Sequence, residues 1–488
     1  MHSAYAVRAE NVMISTVGCK WFSIKDQWLG ELEDHLEALV EFDKQGRGVA
    51  GRLTAALRTA IEQRRLPAGS RLPSTRELAV DLSVSRGVVV EAYEQLVAEG
   101  WLVGRRGSGT TVAAAVPMRE ATATVDFVPV GLRPLRPGVP DLGLFPRGAW
   151  RRAYEQVLTT MTDAVLDYGD PAGPLAVREQ LAAYLGRVRA ARVTAADLLL
   201  TSGAAQAFTI LSRMLAAAGH RCVAIEDPGS RGVHDQLATA LPVLPVPVDA
   251  QGIDVDELSR SAARAVVLTP AHQFPTGVVL SPARRTQVIA WARRTGGLII
   301  EDDYDAEFRY DRDPVGCLQG IAPDVTVAVG SASKALAPAL RLGWLSAPVE
   351  HLPAIRTQQR SIDLGGPALE QYAFAHLLGS GGYDRHLRRA RRTYRTRRDA
   401  LVAALTEFLP GMPIHGVAAG LHLVLQLPAG VDDAAVAAAA RRAGLAPVAL
   451  SACRLTDGHP GLVLGYAAHT PDELTAAVAI LAEIVRSA

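Results

Sequence analysis

Lysine is almost missing from this chain: of 51 basic residues only Lys20, Lys25, Lys44 and Lys334 are lysines. An Arg-rich, Ala-rich coding bias accounts for the scarcity, so a lysine that persists far from the other three marks a position where arginine cannot substitute. An imine-forming amine is such a position, because a guanidinium stays protonated and is not nucleophilic. Cysteine is scarce as well. Cys19, Cys222, Cys317 and Cys453 are scattered without a CxxC pair, which argues against a disulfide framework or a structural zinc site and suits a reducing cytoplasm. No run of about 18 apolar residues is present to span a bilayer, and the N-terminus lacks the basic-then-apolar order of a signal peptide. The net charge is only +1, so contact with nucleic acid must come from a local patch.

What is present is enough for two or three domains: 488 residues, 49% of them hydrophobic. Residues 1–45 form an extension whose Trp21, Phe22, Trp28, Leu29, Leu32, Leu36 and Leu39 suit a short amphipathic helix of no evident function. Residues 46–112 alternate helix signals with turns. Residues 113–140 carry repeated Val-Pro and Arg-Pro steps, which disfavour helix and read as a linker. From 141 to 488, apolar β-rich runs alternate with helical patterns. Strands are expected at Asp197–Thr201, Arg221–Glu226, Ala265–Thr269, Gly297–Glu301 and Val325–Gly330, in an α/β domain with a mainly parallel sheet. Ala-rich stretches such as Val431–Ala440 read as helix.

Within 46–112, Leu53–Arg64 has helical periodicity and Leu66-Pro67-Ala68-Gly69 breaks it. Ser74 with Glu77 three residues later is a capping-box start for a second helix. Ser85 stands where it can cap a third, Arg86–Glu99, which Gly100 ends. Trp101-Leu102-Val103 and Thr110-Thr111-Val112 then flank Arg105-Arg106-Gly107-Ser108-Gly109, as a two-stranded ribbon with a basic tip. Helices and ribbon in this order form a winged helix-turn-helix. Ten arginines against six acids give this segment a local excess of +4, and Arg76, Arg86, Arg105 and Arg106 are placed to reach phosphates or base edges.

Lys334 follows the expected strand Val325–Gly330 in Gly330-Ser331-Ala332-Ser333-Lys334, with Arg341 seven residues on. An amine with hydroxyls before it and a guanidinium after it suits a phosphorylated aldehyde: the amine forms the imine, and Ser331, Ser333 and Arg341 bind phosphate. Upstream, Glu301-Asp302-Asp303-Tyr304 ends another strand. A pyridine nitrogen needs a carboxylate such as Asp302, and a ring hydroxyl needs a partner such as Tyr304. Thr201-Ser202-Gly203-Ala204-Ala205-Gln206 ends a strand and opens a helix, whose backbone N–H groups suit an anion.

Two resemblances rest on these residues. RLPSTRELAVDLSVSRGVVVEAYEQLVAEGWLVGRRGSGTTV resembles the GntR-type DNA-binding domain, in which the positions of Arg76, Ser85, Arg86 and Gly107 lie at the DNA. VPDLGLFPRGAWRRA, YGDPAGPLAVREQLAAYL, EDPGSRG, TPAHQFPTG, EDDYDAEF and SASKALAPALRLGW resemble fold-type I pyridoxal 5'-phosphate (PLP) enzymes of the aspartate aminotransferase class over roughly residues 140–485. The combination resembles the MocR/PdxR subfamily of GntR-type regulators. The resemblance implies PLP on Lys334, Asp302 at its ring nitrogen and Tyr304 at its ring hydroxyl. Ser331, Ser333, Arg341, Ser202, the Gly203–Ala205 backbone and Gln206 would surround its phosphate, and His272 of TPAHQFPTG would lie at the cofactor. A head-to-tail homodimer would supply Tyr168 of the partner subunit.

Three positions depart from the enzymes. Ser230 replaces an aromatic residue that stacks on the cofactor ring, Phe274 replaces an asparagine at the ring hydroxyl, and Val463 stands where an arginine clamps the substrate carboxylate. These departures favour a regulator that senses PLP, an amine or an amino acid over the alternative, an active aminotransferase carrying a DNA-binding module. Eight arginines between Arg385 and Arg398 read either as a solvent-exposed helix face or as an aid to DNA binding.

Overall fold

The computed structural model describes residues 42–44, 46–105, 109–113, 133–310, 316–416 and 418–488, in two compact units divided between Val128 and Pro129. Residues 1–41 of the N-terminal extension, which include its expected helix, and Arg106 and Gly107 lie outside the described residues.

The first unit contains α1 (Val49–Glu62), β1 (Arg71–Leu72), α2 (Thr75–Asp81), α3 (Arg86–Ala98), β2 (Leu102–Arg105) and β3 (Gly109–Val112). Leu53, Leu57, Leu78, Val89 and Leu96 are fully buried at its centre. Leu53 and Leu57 are four apart on α1, and Val89, Ala92 and Leu96 are three and four apart on α3, so each of these helices has one apolar stripe, which drives the packing. Ser74 forms the expected capping box: Glu77 N–H donates to Ser74 Oγ (3.3 Å) and Ser74 N–H donates to Glu77 Oε2 (2.8 Å). Ser85 holds the N-cap backbone position of α3, but its hydroxyl makes no capping bond. The expected two-stranded ribbon gains a third strand, because Arg71 pairs with Thr111 and Leu72 with Thr110 in the order β1-β3-β2. Two residues are too few to show a period in sequence.

The second unit is built on β4 (Leu198–Thr201), β5 (Val223–Asp227), β6 (Val243–Asp249), β7 (Gly252–Ile253), β8 (Ala265–Leu268), β9 (Leu298–Asp303), β10 (Thr326–Ser331) and β11 (Gly343–Ser346). They form one sheet in the order β4-β11-β10-β9-β8-β5-β6-β7. β10, β9, β8, β5 and β6 run parallel, β11 is antiparallel to both neighbours, and β7 is antiparallel to β6. The five strands expected from sequence are β4, β5, β8, β9 and β10. Alternation along the strands feeds two cores: Ile225, Val267 and Ile300 join the helix Ala204–Ala217 on one face. Ala224, Val266 and Ile299 join the helix Pro282–Thr295 on the other. Burial on both faces explains why these strands read as continuous apolar runs.

A smaller antiparallel sheet follows, β12 (Ile414–His415), β13 (His422–Gln426), β14 (Val448–Ala449) and β15 (Gly461–Gly465), in the order β12-β13-β15-β14. The helices Gly382–Phe408 and Pro471–Arg486 pack together beside it. Val431–Ala440 falls on the helix Asp433–Arg442, as its alanines suggest. The end of the Pro-rich stretch is built into this unit: Leu135 is fully buried, and Gly465 N–H donates to its carbonyl oxygen (2.9 Å). Among the described residues no helix is long and apolar enough to cross a membrane.

Candidate functional site

Chains leaving the C-terminal ends of neighbouring parallel strands converge, and in open α/β sheets such ends form ligand sites. Here β9 and β10 lie side by side with Val329 opposite Asp302 and Gly330 opposite Asp303. Asp302 and Tyr304 therefore reach the same end of the sheet as the Ser331–Lys334 loop. A cavity of about 380 Å³ is lined by Lys334, Asp302, Tyr304, Ser331, Ser333 and Arg341, with Ala204 and Ala205 at the first turn of the helix Ala204–Ala217.

Lys334 Nζ donates to Gly138 O at 2.6 Å. Burial pushes its pKa below the usual lysine range, opposed by the charges of Asp305 and Asp302. Asp302 is buried, and its Oδ1 has no hydrogen-bond partner. Burial, reinforced by the neighbouring charges of Asp303 and Asp305, pushes its carboxyl up to about 8. Tyr304 donates to the carbonyl oxygen of His272 (2.9 Å), and His272 Nδ1 lies 2.9 Å from Asp305 Oδ2. Burial also holds Tyr304 well above the usual phenol range. His272 thus stands behind Tyr304 rather than on the cavity wall.

At the other end of the cavity wall, Ser331 Oγ lies 2.8 Å from Ser333 Oγ, and Ser333 N–H donates to Ser331 Oγ (3.1 Å). Arg341 adopts left-handed backbone geometry (φ 51°), and its guanidinium donates to Ser202 O. Gly203 (φ +92°) makes this approach possible, since a Cβ there would lie 3.0 Å from Arg341 Nη2. Gln206 braces the same turn: its Oε1 accepts from Ser202 N–H (2.6 Å) and its amide nitrogen donates to Asp363. Ser202, Gly203 and Gln206 accordingly shape the turn, while Ala204 and Ala205 face the cavity. Guanidinium, hydroxyls and a helix N-terminus together make a cradle for a phosphate dianion.

Tyr168 lies elsewhere in this chain, 83% exposed, beside a second cavity of about 750 Å³ between residues 164–176 and 364–372. Ser230, which lacks the aromatic ring of the enzymes, caps the helix Arg231–Leu237 by accepting from Val233 N–H (3.4 Å). Val463 is fully buried on β15 and packs with Val424, Leu450 and Cys453, with Phe274 against them. Sequence reasoning missed Gly138, Asp305 and His422, which also line the cavity. His422 is buried, and burial with the neighbouring His272 holds it well below the usual histidine range. Asp305 carried a readable signal, the last acid of EDDYD; Gly138 and His422 carried none, because only tertiary contact brings them near Lys334.

In the first unit, Arg76, Ser85 and Arg86 are all exposed. Arg86 Nε lies 3.4 Å from Thr75 Oγ1, which brings the first turns of α2 and α3 to one edge. Arg105 ends β2, paired with Gly109. Exposed cations and an uncommitted hydroxyl at a helix N-terminus are the equipment for phosphate and base contacts.

The family model described as bacterial regulatory proteins, gntR family, matches residues 50–112, and that described as aminotransferase class I and II matches residues 140–481. The chain is 33% identical to the HTH-type pyridoxine biosynthesis transcriptional regulator PdxR of Corynebacterium glutamicum, over 89% of this chain and 95% of that protein. The chain belongs to the MocR/PdxR subfamily of GntR-type transcriptional regulators. It is also 30% identical to the "Probable rhizopine catabolism regulatory protein MocR" of Rhizobium meliloti, over 85% of this chain and 89% of that protein. Among solved structures, a kynurenine aminotransferase of Pyrococcus horikoshii superposes with a TM-score of 0.67 at 24% identity, covering 72% of this regulator and 90% of that chain. That likeness gives the fold of the second unit, a fold-type I aminotransferase domain, and the gntR family match gives the reading head.

Proposed function

We propose that this regulator holds PLP on Lys334 and uses the loaded domain to sense PLP itself or an amine effector, altering how its reading head binds operator DNA in the cytoplasm. The observation that carries the reading is Asp302 Oδ1, a buried carboxyl oxygen without a partner on the cavity wall. An unmet buried acceptor is unfavourable, and a protonated pyridine nitrogen has the charge and the single N–H to satisfy it. The rest of the donor set fits: an amine of lowered pKa, the Tyr304 phenol, and the Ser331–Ser333–Arg341 cradle at the helix N-terminus. When bound, PLP supplies an aldehyde that condenses with amines and a ring that withdraws electrons.

Lys334 is the nucleophile, Asp302 holds the ring-nitrogen proton, and Tyr304 meets the ring hydroxyl with His272 and Asp305 fixing its orientation. Ser331, Ser333, Arg341 and the Ala204–Ala205 backbone hold the phosphate, with Ser202, Gly203 and Gln206 shaping that turn. Exposed Leu166, Leu175 and Leu364 around the Tyr168 cavity support a homodimer in which the partner subunit's Tyr168 completes the site. Arg341 is the one guanidinium among the described lining residues, and the phosphate claims it. With the apolar Val463 in the clamp position, the arginine that the enzymes use for an α-carboxylate is missing at that position, and the guanidinium whose charge reaches Lys334 is that of Arg136. Sensing is favoured over amino-acid turnover for that reason. In the head, Arg76, Ser85, Arg86, Arg105, Arg106 and Gly107 contact the DNA.

The test is to add PLP to the purified chain, reduce with borohydride, and map the modified peptide while titrating DNA with and without PLP. Label confined to Lys334, with a shift in DNA affinity, is expected; label on Lys20, Lys25 or Lys44 instead overturns the assignment.

A further inference from the structure

The helix Gly382–Phe408 carries its eight arginines in two groups. Three have partners. Arg391 Nε donates to Glu307 O, Arg397 pairs with Asp141 (2.8 Å), and Arg398 pairs with Asp399 (3.3 Å). The other five, Arg385, Arg388, Arg389, Arg392 and Arg395, are all exposed, and among the described residues none has an ion-pair partner. Their spacing of three and four places them on one face, a stripe about 15 Å long at 1.5 Å per residue.

Coding bias explains arginine in place of lysine but not this segregation. On the helix Pro282–Thr295, Arg284 pairs with Asp249 and Arg293 with Asp324, while the exposed Arg294 has no ion pair among the described residues. A single unmatched arginine is thus ordinary in this unit, and it is the gathering of five on one helix face that sets Gly382–Phe408 apart. Like charges three and four apart repel along a helix. A stripe of five unmatched cations therefore works against the helix that carries it unless an anion meets it. Duplex DNA carries one phosphate per about 1.7 Å of axis, so a stripe of this length faces several phosphates at once. DNA is also the polyanion that the reading head of the same chain brings within reach.

We infer that the aminotransferase-like domain is itself a DNA-backbone contact, through the Arg385–Arg395 stripe. It neutralises phosphates flanking the sequence that the head reads. Arginine side chains free of base contacts add affinity and salt dependence but no sequence preference.

The test uses the full chain and an Arg388→Gln/Arg389→Gln/Arg392→Gln variant, titrated with random-sequence duplexes of roughly 20 and roughly 60 base pairs over a salt series. The shorter duplex is little longer than the one to two helical turns that a reading head and its half-sites occupy. On the longer duplex the variant is expected to bind about tenfold more weakly, with a log–log salt slope shallower by about 2–3. On the shorter one it is expected to match the parent. Equal affinity and slope on both lengths overturns the inference. Equal loss on both also overturns it, because the variant then acts through the head or the fold. Arg86→Ala, which should weaken both lengths, reports separately on the head.

Discussion

The amine of Lys334 and the carbonyl oxygen of Gly138, 196 positions apart in sequence, are joined by a 2.6 Å hydrogen bond. Any reaction at that amine must release Gly138. Burial lowers the lysine pKa, while Asp305 and Asp302 oppose the shift. Condensation with PLP needs the neutral amine, so its rate should rise with pH through an apparent pKa below that of free lysine. Asp305→Asn removes an opposing charge and should move the profile lower still. Stopped-flow absorbance across a pH series measures both, and a profile like that of free lysine refutes the environment described. Lys334→Ala should show no absorbance change of this kind on addition of PLP.

Asp302 gives a stability prediction of definite sign. Its folded-state pKa of about 8 lies above the ordinary 3.8. Between those values the folded protein holds a proton that the unfolded chain has lost, so stability falls as pH rises through the window. In PLP-free protein this residue should account for a loss of about 1–3 kcal/mol between about pH 5 and about pH 8. Asp302→Asn cannot ionise and should remove that part of the loss while weakening PLP binding. Denaturation of parent and variant at both pH values measures the contribution of Asp302 together with its coupling to the buried Glu226, which is pushed up to about 7.

Two serines at two helix starts should separate stability from DNA binding. Ser74→Ala breaks a complete capping box and should destabilise the reading head by about 1 kcal/mol. Ser85 makes no capping bond, so Ser85→Ala should leave denaturation unchanged and weaken DNA binding. Chemical denaturation beside a DNA titration distinguishes them. The reverse pattern would show that Ser85 caps in solution.

The clamp position should resist repair. Val463 is fully buried among Val424, Leu450 and Cys453, and an arginine there would be a buried unpaired charge costing about 3–5 kcal/mol. Val463→Arg is expected to lower thermal stability sharply and to bring no transamination of common α-amino acids. A stable variant that turns over amino acids would show that one side chain separates sensor from enzyme.

Much of this was legible in the sequence where the signal is local. Lysine scarcity singles out Lys334, the Ser74–Glu77 spacing marks α2, and apolar runs mark five strands of the main sheet. Local patterns could not foresee that a two-residue strand at Arg71–Leu72 completes the wing sheet. Nor could they show that the Ser230 hydroxyl serves a helix, or that the amide of Gln206 is committed on both sides. The partners of Lys334 were the least legible. Asp305 could be read from the EDDYD run, but Gly138 and His422 reach the cavity from separate parts of the fold, and no spacing along the chain encodes that meeting.

The ladder that sets Val329 beside Asp302 also decides where a ligand's arrival can be felt. Asp302 is held in the frame of hydrogen-bonded parallel strands, and Lys334 follows three residues after the last strand residue of β10, so this wall is tied to the sheet. Under the proposed function, a ligand that takes Lys334 from Gly138 would be felt first at the facing pieces, the Gly138 segment and His422. These are a single mechanical part: Leu135 is bonded to Gly465, and Gly465 is the cross-strand neighbour of His422. Upstream of Leu135 the chain leads towards the first unit, so under the proposed function a ligand that moves Gly138 would pull on the end of the segment joining the two units.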